Sequence, residues 1–306
     1  MIKRAVVCIL GATGTGKTAA ALALAREFRG QVINFDSRQI YRGLAVVTAQ
    51  PTSAEQSVCP HHLYGFLDPD RPMMAAAFAE LVHERIADIH DHDDVPILVG
   101  GTGLYLRAIL EGLADIPEID PEIRARVLDE CCFHGPQALH ARLTEIDPVY
   151  AARIHPNDTQ RNCRALEVFE STGRALSDWH SETTDGSRYR HLKIGIEVGL
   201  DELTPHLERR IKAMIRAGAL EEVRAALATC SDPKAPGFSG IGCPEILAFL
   251  DGRMSWDETG KAWLKNTRAY AKRQMTWFRK ERGVHWVRPG REKESAGMVR
   301  AFLGLS

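Results

Sequence analysis

The 306-residue sequence predicts an α/β fold, a parallel sheet flanked by helices with an all-helical domain inserted into it. Three observations carry that expectation. Over roughly the first hundred residues, short apolar runs alternate with segments of helical period, the pattern of parallel strands joined by crossover helices. The first run leads directly into Gly11-Ala12-Thr13-Gly14-Thr15-Gly16-Lys17-Thr18, a phosphate-loop pattern that requires a strand before it and a helix after it. From about Asp115 to His180 the chain is charged, helical in period and nearly free of strand-like runs, and the strand pattern then resumes. The expected domains are therefore residues 1–114 as the first part of the core, 115–190 as the helical insertion and 191–306 as the second part of the core.

Taken in order, Ala5 to Leu10 is a continuous apolar run, as a strand buried on both faces must be. The alanine-rich stretch Ala19 to Phe28 predicts a helix that opens at Lys17. Val32 to Asp36 reads as the second strand, Ala75 to His90 as a helix and Pro96 to Gly100 as the third strand. The run His90-Asp91-His92-Asp93-Asp94 lies between the last two and reads as a solvated loop rather than a metal site. In the second part of the core Leu192 to Val198 is the fourth strand. Helices are expected near Leu203 to Ala217, Leu220 to Leu227, Cys243 to Leu250 and Asp257 to Lys280, with His285-Trp286-Val287 as an edge strand. The Pro- and Gly-containing segment Ser231 to Gly242 reads as a mobile loop. In the last long helix Trp263, Tyr270 and Trp277 recur every seven residues, a stripe that reads as core. Lys261, Lys265, Arg268, Lys272 and Arg279 share another face, either solvated or a footprint for a phosphate backbone.

Composition sets bounds on partners. No apolar run approaches the roughly 20 residues that span a bilayer, and Met1-Ile2-Lys3-Arg4 leads straight into the first strand without a signal-peptide core. A cytoplasmic, monomeric protein with no membrane partner is expected. The seven cysteines are odd in number and scattered, with no Cys-x-x-Cys pair, and read as reduced thiols. A net charge of −1 argues against indiscriminate coating of nucleic acid. Basic residues nevertheless cluster at Arg153, Arg161, Arg164 and Arg174 and again from Lys261 to Arg282, which points to a polyanion bound in a defined orientation.

The phosphate loop sets the chemistry. Its glycines let consecutive backbone N–H groups converge on a phosphate, the helix N-terminus adds partial positive charge, Lys17 a full one, and the Thr18 hydroxyl can hold Mg²⁺. A loop of this kind that hydrolyses ATP is completed by an acidic residue at the end of an apolar strand. Here Pro96-Ile97-Leu98-Val99 ends in Gly100-Gly101-Thr102-Gly103 instead, and an Asn-Lys-x-Asp guanine-reading motif is missing. Asp36 stands at the end of the second strand, on the sheet edge that carries the phosphate loop. It can serve as a general base, as an outer ligand of Mg²⁺, or as the N-cap of a following helix.

Asp36-Ser37-Arg38-Gln39-Ile40-Tyr41, Thr48-Ala49-Gln50-Pro51, Gly100 to Tyr105, His155-Pro156-Asn157-Asp158 with Gln160-Arg161 and Arg164 to Glu167, and Thr267-Arg268-x-Tyr270-Ala271-Lys272-Arg273-Gln274 follow the phosphate loop in order. The ordered set resembles the bacterial tRNA dimethylallyltransferases and covers most of the chain. The resemblance implies a nucleoside-kinase-like P-loop core. It implies transfer of a dimethylallyl group from dimethylallyl diphosphate to N6 of adenosine 37, 3′ of the anticodon, in tRNAs reading codons that begin with U. By the same resemblance Gly11, Ala12, Thr13, Gly14, Thr15, Gly16, Lys17 and Thr18 bind the diphosphate, together with Arg210, which aligns better than Arg209. Asp36 becomes the catalytic base and Thr18 the Mg²⁺ ligand. The tRNA anticodon stem-loop is met by Asp36, Ser37, Arg38, Gln39, Thr102, Arg124 and the run Gln160, Arg161, Asn162, Cys163, Arg164. Surface ion pairs with Asp158 or Glu167 are the alternative role of Arg161 and Arg164. Two positions depart from the family pattern: Gln50 stands where a lysine is usual, and Cys243-Pro244 where an aromatic and a cation are usual. A nucleoside or small-molecule kinase that turns over ATP, and a noncatalytic RNA-binding protein that uses the loop as a nucleotide sensor, are the competing readings.

Overall fold

Seven consecutive fully buried residues make β1 (Ala5–Gly11) the central strand of a six-stranded sheet, parallel throughout, in the order β3-β2-β4-β1-β5-β6. The other strands are β2 (Gly30–Asn34), β3 (His61–His62), β4 (Val95–Gly100), β5 (Arg190–Ile196) and β6 (Val284–Val287). The structure, a computed structural model, describes residues 5–182 and 187–305. Met1-Ile2-Lys3-Arg4, on which the reading of the N-terminus rests, lie outside the described residues.

The chain divides into two units, Met1–Leu110 with Ser187–Ser306, and Glu111–Gly186. Both divisions come four residues earlier than the expected 114/115 and 190/191. A pairing accounts for the second: Arg190 is hydrogen-bonded into the sheet opposite Ala5, so β5 begins before Leu192.

In the first unit, the helices are α1 (Lys17–Phe28), α2 (Ala45–Thr48), α3 (Ser53–Gln56), α4 (Ala75–Asp91) and α5 (Gly103–Leu110). After the insertion come α11 (Leu200–Arg216), α12 (Ala219–Thr229), α13 (Cys243–Leu250), α14 (Trp256–Phe278) and α15 (Glu292–Leu303). One core lies between the sheet, α1 and α15 and includes Val7, Ile9, Leu24, Ile97, Ile194 and Val299. α15 and β3 have no counterpart in the sequence reading. β3 is two residues long, too short for any periodicity to mark it. α4 runs through His90 and Asp91, so the histidine-rich run begins in a helix; His90 Nε2 is 2.9 Å from the Ala5 carbonyl and His92 Nδ1 2.7 Å from that of Asp88.

α14 starts at a capping box. The Ser255 hydroxyl accepts the Glu258 N–H, and the Glu258 carboxylate accepts the Ser255 N–H at 2.8 Å. The segment Ser231 to Gly242, expected to be mobile from its composition, is anchored. It contains a 3₁₀ turn, Pro236–Ser239, whose Phe238 is buried and whose Gly237 N–H donates to the Pro69 carbonyl at 2.8 Å.

The second unit holds α6 (Pro121–His134), α7 (Pro136–Ile146), α8 (Pro148–Ala151), α9 (Thr159–Thr172) and α10 (Leu176–Ser181) around Val127, Leu139, Leu143, Leu166 and Val168. Asp147 is buried and fully used: Oδ1 caps α8 by accepting the Tyr150 N–H at 2.9 Å, and Oδ2 accepts the Ser177 N–H at 2.8 Å. That second bond ties α10 to the unit and satisfies a buried carboxylate.

Candidate active site

The phosphate loop closes on itself around one carbonyl. The Ala12 oxygen accepts the Thr15 hydroxyl at 2.9 Å and the Lys17 ammonium at 2.7 Å. Gly14 has φ +81°, and a Cβ there would lie 2.6 Å from Leu207 Cδ2, so only glycine lets the loop pass so close to α11. Burial pushes the Lys17 pKa down to about 8; the Asp36 charge works against that shift and the Arg210 charge with it. The Asp36 carboxylate thus lies within electrostatic reach of both Lys17 and Arg210.

Asp36 lies two residues beyond the end of β2, in a turn rather than in the strand. Asn34, fully buried, shapes that turn. Its Oδ1 accepts the Asp36 N–H at 2.7 Å, and its amide nitrogen donates to the carbonyls of Asp36 and Leu63. Asp36 Oδ1 accepts the Arg38 N–H at 2.9 Å, which is an Asx turn. Residues 37–40 form a turn and not a helix, so the N-cap role falls away. The neighbouring Ser37 N–H donates to the Thr102 hydroxyl at 3.0 Å, joining the loops after β2 and β4.

Asp36 lines a cavity of about 280 Å³ with Thr13, Arg38, Arg210 and Arg273. The remaining wall is largely apolar, from Val47, Leu207, Ile211, Met214, Ile241 and Trp263. Arg210 is half-buried, and burial disfavours its charge while Asp36 and Glu55 favour it. Arg209 turns away and meets His206 at 3.0 Å in an exposed contact, so the structure separates the two adjacent arginines. Arg38 reaches the Pro236 carbonyl and the Ser239 hydroxyl. Three arginines against one carboxylate, beside an apolar wall, can accommodate an anion that carries a hydrocarbon group.

Several wall residues escaped the sequence reading. Trp263 is buried, as its reading as core expected, and also lines this cavity, whereas Tyr270, read as core, is half-buried against it. The motif that contains Arg273 and Gln274 marks neither as a site residue, yet Arg273 lines the cavity and Gln274 contacts the phosphate loop directly. The heptad spacing was the available signal, and it does not distinguish a core from a cavity wall. Gln50 folds inward, donating to the Tyr41 carbonyl at 2.8 Å. Cys243 is wholly buried.

In the helical unit, Gln160 and Arg161 are exposed and Arg164 half-exposed. Asn162 and Cys163, named with them in the expected tRNA contact, are buried, Asn162 donating to the Pro156 carbonyl at 3.0 Å and Cys163 lying in the helical core, because they occupy the inward face of α9. Arg161 lies 3.3 Å from Asp158, Arg164 3.6 Å from Glu167 and Arg124 3.9 Å from Glu167.

Whether magnesium fits can be judged from Thr18. Its exposed hydroxyl, in the first turn of α1, has no hydrogen-bond partner among the described residues, and no cluster of three or more His, Cys, Asp or Glu side chains there could hold a metal ion. One hydroxyl plus ligand phosphate oxygens suits Mg²⁺, which binds few protein groups and keeps several waters.

Residues 39–281 match the family model described as IPP transferase. The chain is 53% identical to the tRNA dimethylallyltransferase of Nitratidesulfovibrio vulgaris, covering 97% of this chain and 93% of that protein. It is 50% identical to that of Maridesulfovibrio salexigens, with 98% of each covered. Among solved structures, the full-length tRNA isopentenylpyrophosphate transferase of Bacillus halodurans superposes with a TM-score of 0.73 at 34% identity, over 99% of this chain and 97% of that one. A eukaryotic dimethylallyltransferase acting on tRNA gives 0.84 at 25% identity, over 99% and 80%. The chain belongs to the IPP transferase family.

Proposed function

We propose that this protein transfers a dimethylallyl group from dimethylallyl diphosphate to N6 of the adenosine at position 37 of tRNA. The observation that carries the reading is the single cavity that joins the phosphate loop, Asp36, Arg210 and an apolar wall. Relatives named tRNA dimethylallyltransferase along nearly the whole chain support the reaction class.

The chain's own groups divide the work. N–H groups of the loop, Lys17 and Arg210 bind the diphosphate, while the five-carbon group lies along Leu207, Ile211, Met214 and Trp263. The target adenine cannot react within a base stack, so it is turned out toward Asp36. N6 attacks C1, the C1–N6 bond forms as the C1–O bond breaks, and the diphosphate leaves with the electron pair. Asp36 accepts the N6 proton at Oδ2, since Oδ1 already holds the Arg38 N–H. Thr18 and the diphosphate would hold a magnesium ion, which would screen the charge that develops on the leaving group. Gln160, Arg161, Arg164 and Arg124 meet the tRNA as exposed polar and cationic groups.

Incubation with labelled dimethylallyl diphosphate, Mg²⁺ and unmodified tRNA is the direct test. Label in an adenosine 3′ of the anticodon, without ATP consumption, is expected; ATP turnover without transfer would return the protein to the kinase reading.

A further inference from the structure

Gln274 occupies the C-terminal half of α14, is 5% exposed and stands between two loops far from it in sequence. Its amide oxygen accepts the Thr13 N–H of the phosphate loop at 2.8 Å, and its amide nitrogen donates to the Gly101 carbonyl at 2.8 Å. Thr102, the next residue after Gly101, holds the Ser37 N–H beside Asp36. A continuous path of backbone and hydrogen bonds therefore runs from the phosphate loop through one amide to the turn that carries Asp36. The approach is close: a Cβ added to Gly101 would lie 2.1 Å from the Gln274 nitrogen and 3.3 Å from Asp36 Oδ2.

Resting on the proposed prenyl transfer, we infer that Gln274 is a positioning residue that sets the separation between the diphosphate-binding loop and Asp36. The chemistry of the side chain is specific to that task. The two partners are a donor and an acceptor, and only a group that accepts on one atom and donates from the other serves both. A carboxylate sets two acceptors against the Gly101 carbonyl; a methionine of similar length offers no hydrogen of its own and leaves that carbonyl unpaired. Transfer requires C1, held by the diphosphate, and N6, held near Asp36, to meet in line at near-contact distance. A small drift between the two loops then lowers the rate of the bond-making step more than the affinity for either substrate.

The test compares Gln274→Met and Gln274→Glu with the parent in single-turnover transfer at saturating tRNA and dimethylallyl diphosphate. Gln274→Met is expected to slow the step by about 10²-fold with both dissociation constants within a few-fold of the parent. Gln274→Glu should be equally slow at pH 8 and recover several-fold relative to the parent toward pH 6, because a protonated carboxyl again accepts on one oxygen and donates from the other. A merely structural role does not produce that recovery. Gly101→Ala, which presses on the same amide from the opposite side, supplies the measurement should either variant fail to fold, and the same rate-selective loss is expected. Folded variants that transfer at the parental rate, or a Gln274→Glu profile parallel to the parent's, would overturn the inference while the activity stands. A parent that transfers nothing removes the function and this inference together.

Discussion

Arg210 on α11 and Arg164 on α9 are both half-buried guanidinium groups on helices, and they are held in opposite ways. Arg210 faces a cavity whose carboxylate is Asp36, and forms no hydrogen bond or close ion pair with the described residues. Arg164 lies 3.6 Å from Glu167, and its neighbours Arg161 and Arg124 likewise lie within 4 Å of Asp158 and Glu167. The difference teaches how each region would meet a phosphate under the proposed function. Burial already disfavours the charge on Arg210 and Lys17, so an arriving anion relieves an existing penalty. If the proposed function holds, the helical unit's arginines would have to exchange one anion for another in partial contact with water, a weaker and salt-sensitive transaction.

The sharpest way to break this contrast is to remove the cavity's carboxylate. Asp36→Asn keeps the Oδ1 acceptor for the Arg38 N–H, so the turn survives while the proton acceptor is lost. Single-turnover transfer should slow by about 10²- to 10⁴-fold with both substrates still bound. A rate within a few-fold of the parent would take Asp36 out of the mechanism.

Next in size is Arg210 itself. Loss of a charged hydrogen-bond partner costs about 1.5–3 kcal/mol, so Arg210→Gln should weaken binding of inorganic pyrophosphate by about 10- to 100-fold in calorimetry. Arg209→Gln, altering an exposed group bonded to His206, should leave it nearly unchanged. Equal effects from the two substitutions would mean that α11 is not turned as described.

The pH dependence of the same measurement sharpens the argument. With the Lys17 pKa depressed from 10.5 to about 8, the unfolded chain holds the extra proton between those values, so this group's contribution to stability rises with pH across that window. A bound diphosphate favours the ammonium. Its affinity should therefore be full below pH 8 and fall as pH rises past it, by at most about tenfold per unit, with proton uptake visible as buffer-dependent heat. Affinity flat from pH 7 to 9 would exclude Lys17 as the titrating contact.

The smallest effect belongs to the helical unit. Arg161→Ala or Arg164→Ala should lower tRNA affinity only a few-fold and make the log–log salt dependence shallower by about 0.7–0.9 per residue. Pyrophosphate binding should not change. Identical tRNA affinity at every salt concentration would leave both arginines as partners of Asp158 and Glu167 alone.

Much of this contrast was legible from residue types. β1 and β4 announced themselves as unbroken apolar runs, because a parallel strand is buried on both faces. Thr18 and Lys17 were marked by the spacing that a phosphate demands. The inward turn of Asn162 and Cys163 was not legible in the matched run, since a motif names consecutive residues whereas a helix exposes only some of them. Nor was the anchoring of the segment 231–242, whose glycines and prolines suit a mobile loop and a buttressed one equally well.

Local sequence thus marks a loop of phosphate-binding pattern, where helices such as α14 begin, and that Asp36 shares an edge with the loop: these follow from spacing, capping and strand direction. The convergence of Thr13, Asp36, Arg210 and Gln274 belongs to packing. Thr13 and Gln274 are separated by 261 residues in the chain, and their hydrogen bond exists because α14 is rotated to turn an amide, rather than a neighbouring cation, toward the loop. No periodicity encodes that rotation, because it is set by how Ala271 and Met275 of α14 pack with Leu203 and Leu207 of α11, a property of the assembled core and not of any one segment.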